Sequence, residues 1–415
     1  MIVMSAVFFI ICLYATYRAC KTLSNNQKVF VITWYAFAAC GLVLYTNFLI
    51  DIGWKYGIPG ADMLNYFNAA IAMNKGASWS DLVLISPLYF AQIKFGTLMY
   101  FLFSSFVAVL LWIPIFNYQI SLYLIYFSFL LLCIVSSINV AAILGNNSKK
   151  IESKYLYTTI CCAGLVFAAY RLLRDTLLFY LITYTILYMK RHTERKFMTT
   201  SILLMFLCVV MRSYSLLIVL PYFLVRYFDS RKIRILVLSI PFFLISVSEL
   251  FFVVLPYFNV IWELSGVELT EILNFLFFPN IFSQSQLLLI WNSVPHYSNY
   301  IAGSNLPGMY YLMSLWNFIV YPLVILGLFY KIKDRKWDKL FWLSILMNIC
   351  VVYSILYSTE SGLETRHKVM ILIPLVYFAG EGSDFMRKLK IGTHRASLFY
   401  PLLMMIVAMG IFIIC

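Results

Sequence analysis

Long apolar runs alternate with short polar interruptions from one end of the chain to the other. The runs are of helix-spanning length, longer and more uniformly apolar than the strands of a half-exposed sheet. A transmembrane barrel would show short segments of alternating hydrophobicity instead, and the sequence has none. The pattern predicts an all-α, polytopic integral membrane protein in a single domain over 1–415.

Spans are predicted at about 2–17, 29–50, 235–256, 309–330, 340–358, 367–380 and 397–414, with two hairpins at about 155–189 and 198–228. Residues 82–144 are apolar, with breaks near Pro87, Lys94, Pro114 and Asn117, and admit one crossing or three. The total is about 12–14 transmembrane helices. Two sizeable loops, about 51–81 and 257–308, fall on one side. The first run, MIVMSAVFFIICLYATY, lacks a basic leader and a small-residue cleavage pattern, so it is expected to be a retained helix rather than a signal peptide.

Charge fixes the sidedness. The chain carries 31 basic and 17 acidic residues, a net +14. In a soluble protein that excess would suggest nucleic acid; here its distribution points to a membrane and to no nucleic-acid partner. Six short stretches, RACKTLSNNQK, NNSKKIESK, KRHTERK, RYFDSRKIR, KIKDRKWDK and DFMRKLKIGTHR, hold 23 of the 31 basic residues. Cytoplasmic placement of all six satisfies the preference of Lys and Arg for the inner face. It also leaves only 8 basic residues on the outer side. The cysteines lie mostly in apolar runs, and no CxxC pair or His/Cys cluster suggests a metal site or a disulfide framework.

Against that frame the run 155–189 is unusual. Basic clusters flank both ends, and 35 residues of helix would reach roughly 52 Å, too long for one crossing of a core about 30 Å thick. A hairpin resolves this and puts YRLLRD, with Arg171, Arg174 and Asp175, at an outer tip. The same logic puts Arg212 of MRSYS, and Glu364, Arg366 and His367 of STESGLETRHK, at outer turns. Arg171, Arg174, Arg212 and Arg366 are then the only arginines on the outer face. The guanidinium fork binds phosphoryl oxygens bidentately and stays charged when partly desolvated. Four such groups at one depth form a candidate diphosphate site. A simpler role also fits: Arg171 and Asp175 are spaced i,i+4 and form an ion pair if both are helical.

The first outer loop begins DIGWKYGIPGADMLNYFNAA, where Asp62 opens a short helix shared with Tyr66, Ala69 and Ala70. Asp62 is either a general base or a helix cap. Trp262, Trp291, Tyr297 and Tyr300 of the second outer loop suit sugar stacking as well as an interfacial aromatic belt.

Taken together, GADMLNYFNAA, RLLRD, MRSYS and RHKVMILIP in this order resemble the layout of outer-face glycan-assembly enzymes of bacteria. The chain resembles the Wzy-type repeat-unit polymerases of O-antigen and capsule assembly and the EpsG-like exopolysaccharide proteins. More distantly it is similar to the GT-C glycosyltransferases, many of which carry paired acids where Asp62 stands alone. The resemblance implies polymerisation of polyprenyl-diphosphate-linked oligosaccharide repeat units on the outer face of the bacterial cytoplasmic membrane. It also implies a lipid-linked substrate and partners of the flippase and chain-length-regulator type. No cofactor or metal is expected. Arg171, Arg174, Arg212 and Arg366 would hold the diphosphate, and Asp62, Asp175, Glu364 and His367 are candidates to deprotonate the attacking hydroxyl. The alternatives are a GT-C-like transferase or glycan ligase using a polyprenyl-phosphate-linked donor, and a lipid-linked oligosaccharide flippase.

Overall fold

The computed structural model describes residues 2–51, 118–145, 151–170, 174–192, 194–211, 215–227, 309–334 and 372–388, together with residues 68, 71, 72 and 75. The described residues form helices and short connections, with no strand among them. The chain divides into two compact units, Met1–Tyr188 with Thr199–Leu216, and Met189–Met198 with Leu217–Cys415.

In the first unit, α1 (Ile2–Ala19) leads through a 3-10 turn, Cys20–Thr22, into α2 (Asn25–Asp51). The start of α2 is written in the sequence. Ser24 and Gln27 form a reciprocal capping box, Ser24 N–H donating to Gln27 Oε1 at 2.9 Å and Gln27 N–H to Ser24 Oγ at 3.5 Å. The third helix, α3 (Tyr118–Leu144), begins directly after Asn117, one of the breaks the sequence predicts. It is followed by α4 (Ser153–Ile160), α5 (Ala163–Tyr170), α6 (Arg174–Arg191), a 3-10 turn at Arg195–Phe197, and α7 (Met198–Met211). The second unit contains α8 (Ser215–Tyr227) from Leu217 onward, α9 (Met309–Lys333) and α10 (Leu372–Lys388).

Helix α3 is the centre of the first unit and packs against α1, α2, α4 and α5. Leu122, Tyr126, Leu130, Cys133 and Ile134 are all fully or nearly fully buried. Among the described residues, α2 and α3 are long and apolar enough to cross a membrane, yet their burial differs. Of the apolar window, 33% is buried in α2 and 78% in α3. The difference makes α2 a peripheral helix. Its Phe37, Leu44 and Phe48 form one exposed stripe, and Ile10, Ile11 and Tyr14 of α1 are likewise exposed.

Glycine sets the packing of α9 on α10. A Cβ on Gly327 would stand 1.9 Å from Phe378 O, and one on Gly382 would stand 2.0 Å from Leu323 O. The two backbones therefore touch at this crossing. Beside it, Lys331 Nζ pairs with Glu381 Oε2 at 3.2 Å, both side chains largely buried, and lies 5.3 Å from the centre of the Tyr377 ring. Lys388 bonds to the Tyr330 hydroxyl, and Tyr330 stacks on Phe385 at 5.1 Å. Helix α10 consequently runs through Glu381 to Lys388, eight residues past the span edge the sequence suggests at 380.

Candidate functional site

The steps between α5 and α6 and between α7 and α8 contain the arginine-bearing stretches. Hydrogen bonds set their depth. Near the start of α3, Tyr123 donates to Asn47 Oδ1 near the end of α2 at 3.0 Å, and Tyr35 donates to Phe127 O at 3.2 Å. Helix α3 is thus antiparallel to α2. At the start of α2, Gln27 Nε2 donates to Ile151 O at 2.9 Å and to Ser153 Oγ at 2.8 Å, and the Phe30 and Tyr157 rings meet at 4.5 Å. Helix α4 therefore begins beside the start of α2 and runs with it.

Tyr170 ends α5. Its hydroxyl donates to Ala38 O at 2.5 Å, and its ring stacks on Tyr45 at 6.2 Å. Cys133 Sγ lies 3.6 Å from Leu165 O in α5, and Asn139 Nδ2 donates to Thr183 Oγ1 in α6 at 3.4 Å. From Cys133 to Asn139, α3 advances roughly 9 Å toward the start of α2. A straight helix from Leu165 to Thr183 would advance roughly 27 Å the opposite way. Helices α5 and α6 therefore run in opposite directions.

These helix ends stop short of the end of α2. Ala38 lies near the middle of α2, with roughly 20 Å of helix between it and Asp51. The ends of α5 and α6 flank the middle of α2, so this helix pair is shorter than α2. Helices α2 and α3 have 27 residues each, and α6 has 18.

The second hairpin follows by the same geometry. Thr185 Oγ1 in α6 lies 3.6 Å from Cys208 Sγ in α7. A continuing α7 would put these groups more than roughly 24 Å apart, so α7 folds back along α6. In the second unit, Arg226 near the end of α8 donates to Met189 O at 3.1 Å and Lys190 O at 3.0 Å, and Tyr227 donates to His192 O at 3.0 Å. These bonds satisfy carbonyls that the last turn of α6 leaves without intrahelical donors. The N-terminus of α6 and the C-terminus of α7 thus point the same way, opposite to the end that Arg226 caps.

Of the predicted site residues, Arg174 and Asp175 open α6. Arg171 and Arg212, in the two interhelical steps, lie outside the described residues, as do Asp62, Glu364, Arg366 and His367. A basic residue at the first position of a helix opposes the positive end of the helix dipole, while an acid in the first turn complements it. Arg174 is on the unfavourable side of that balance, and a bound anion would reverse it. Among the described residues, no group of three or more His, Cys, Asp or Glu is placed to hold a metal ion.

Sequence reading missed two polar groups next to these arginines. Several helical Ser and Thr elsewhere in the first unit return their hydroxyls to a carbonyl one turn back, as Thr16 does to Cys12 O at 2.8 Å, Ser136 to Leu132 O at 2.7 Å and Thr159 to Tyr155 O at 2.7 Å, although buried Thr46 of α2 does not. Thr176, in the first turn of α6, and Ser215, the first residue of α8, are fully buried, and their hydroxyls make no hydrogen bond among the described residues. The signal was present: RDT and RSYS each follow an arginine with a hydroxyl at a helix start. Comparison with protein-family models, curated proteins and solved structures found no match to the chain.

Proposed function

We propose that this chain is a multi-pass enzyme of the bacterial cytoplasmic membrane that polymerises polyprenyl-diphosphate-linked oligosaccharide repeat units, its site facing outward. The observation that carries the reading is that α5 ends beside the middle of α2, immediately before the stretch where the sequence holds Arg171 and Arg174. Charge at such depth in an apolar helical body is costly unless it meets water, a partner or a ligand. Broken helices whose N-termini point into the interior are a recurrent way for membrane proteins to bind anions. The exposed apolar stripes of α1 and α2 favour lipid as the surroundings, since patches of this kind are rare on monomeric soluble proteins.

Polymerisation breaks the bond between the anomeric carbon of the growing glycan and its diphosphate carrier. A hydroxyl of the incoming repeat unit forms the new glycosidic bond. The hydroxyl proton passes to a base, with Asp62, Asp175, Glu364 and His367 the candidates. The polyprenyl diphosphate leaves with the bonding electron pair. Arg171, Arg174, Arg212 and Arg366 stabilise the charge that develops on it, a preorganised arrangement that acts most strongly in a water-poor site.

The test is alanine replacement at each of the four arginines in cells making the polymer. The expected outcome is loss of long chains with single lipid-linked repeats retained. Wild-type length ladders in all four variants would refute the reading. Loss of single repeats as well would favour a transferase acting earlier in assembly.

A further inference from the structure

We infer that the hydroxyls of Thr176 and Ser215 are ligands of the same anion, donating to phosphoryl oxygens at the N-termini of α6 and α8. The inference rests on the diphosphate site proposed above. Its independent support is a pair of buried, unpaired hydroxyls at two helix starts. Thr16, Ser136 and Thr159 in helix interiors are satisfied by the carbonyl one turn back, whereas the buried Thr46 of α2 makes no such bond. In a first turn that carbonyl belongs to a residue before the helix, so the hydroxyl needs another acceptor. Thr176 Oγ1 and Ser215 Oγ have none among the described residues, although both side chains are fully buried. Buried polar groups are normally paired, and one left unpaired in a native fold calls for an explanation such as a water, an ion, a ligand or strain.

Direction and charge agree with a phosphoryl acceptor. The Cα–Cβ bonds of a helix tilt toward its N-terminus, so first-turn hydroxyls point at the end where backbone N–H groups are free. Both helices are long enough to carry a developed dipole, α6 having 18 residues and α8 13. A hydroxyl able to donate and the free amide N–H groups of a helix N-terminus form a set of donors. An anionic oxygen completes it, whereas a cation or an apolar ligand leaves the donors unpaired. Ser215 and Thr176 belong to the same compact unit. Ser215 follows the C-terminus of α7, the end that points with the N-terminus of α6.

The test uses the purified full chain in nanodiscs, with farnesyl diphosphate as probe, inorganic pyrophosphate as the soluble arm and farnesol as the uncharged control. Thr176→Val is nearly isosteric, and Ser215→Ala removes only the hydroxyl. Each is expected to weaken farnesyl diphosphate binding about tenfold, the usual scale for a hydrogen bond to a charged acceptor. The same variants are expected to unfold at a higher temperature without ligand, because an unpaired buried hydroxyl is gone. Thr176→Ser should keep the affinity. Unchanged affinity in Thr176→Val and Ser215→Ala, with affinity lost in Arg174→Gln, would overturn this inference and leave the arginine site standing. A lowered unfolding temperature with unchanged affinity would assign the hydroxyls to structure and overturn it as well. Failure of the wild type to bind farnesyl diphosphate would overturn both. Equal losses for pyrophosphate would support contact with the phosphoryl oxygens, and a loss confined to the farnesyl compound would contradict it.

Discussion

Replacing Gly382 by alanine tests the α9–α10 crossing most sharply, because two effects oppose each other. Alanine in a helix interior gains roughly 1 kcal/mol over glycine from propensity alone. The new Cβ, however, would stand 2.0 Å from Leu323 O, 2.8 Å from Leu323 C and 3.0 Å from Gly327 N. These are backbone atoms and cannot rotate away. Restoring an ordinary contact of 3.4 Å from 2.0 Å requires about 1.4 Å of separation between the helices. A radial gap of roughly 0.5–1 Å already forfeits a quarter to a half of each dispersion contact along the seam. The shift would also stretch the Lys331–Glu381 pair, now at 3.2 Å. Overpacking of this kind costs about 1–3 kcal/mol, so the net effect is destabilising despite the propensity gain. The assay is thermal unfolding of the detergent-solubilised full chain, with Gly41→Ala as internal control. A Cβ on Gly41 would meet only the Tyr170 hydroxyl, at 3.3 Å, and the far end of that side chain can yield by a few tenths of an ångström. Gly41→Ala should match or exceed the wild-type midpoint while Gly382→Ala and Gly327→Ala fall below it. Equal midpoints for Gly41→Ala and Gly382→Ala would refute the close crossing.

Breaking the Lys331–Glu381 pair from one side, as Lys331→Met, should cost about 3–5 kcal/mol, and Lys331→Met with Glu381→Leu should regain much of it; a double-mutant cycle in thermal unfolding reads the coupling. Arg226→Gln removes charged donors from Met189 O and Lys190 O and should cost about 1.5–3 kcal/mol, with faster hydrogen exchange confined to the last turn of α6 and the end of α8. Burial pushes the Cys20 thiol up to about 11, Lys28 offsetting part of the rise. The native state then holds this proton more tightly than the unfolded chain. The associated stability is complete below the ordinary thiol value of 9.0 and falls as pH rises through about 11. Cys20→Ala should flatten that fall in a series of unfolding midpoints from pH 8 to about 11.5.

Much of the helical layout is legible in the sequence, for local reasons. The predicted spans 2–17, 29–50 and 309–330 correspond to α1, α2 and α9 because apolar runs bounded by charge or by the Ser24–Gln27 capping pattern leave few choices. The turn in the run 155–189 follows from length against charge. The break between Ile160 and Ala163 was not foreseen: it falls at Cys161 and Cys162, two small apolar residues with no turn signal. Helix α10 runs on past the span edge at 380 for a reason of packing. Glu381 reads as the end of an apolar run, but Lys331 neutralises it within the packed pair and the helix continues. Depth was illegible in principle. That Tyr170 reaches Ala38 rather than the end of α2 depends on which helices are neighbours, and hydropathy along one chain carries no such information. The hydroxyls of Thr176 and Ser215 escaped notice because a threonine inside an apolar run is ordinary unless its helix begins just before it.

The central claim is polymer growth on a lipid diphosphate, and reconstitution tests it directly. The purified wild-type chain in liposomes would receive a radiolabelled polyprenyl-diphosphate-linked repeat unit, with products separated by length. The account predicts a ladder spaced by whole repeat units, one polyprenyl diphosphate released per addition, and no ladder from the Arg174→Ala protein. Addition of a single sugar, or movement of the labelled lipid across the bilayer without elongation, would contradict it.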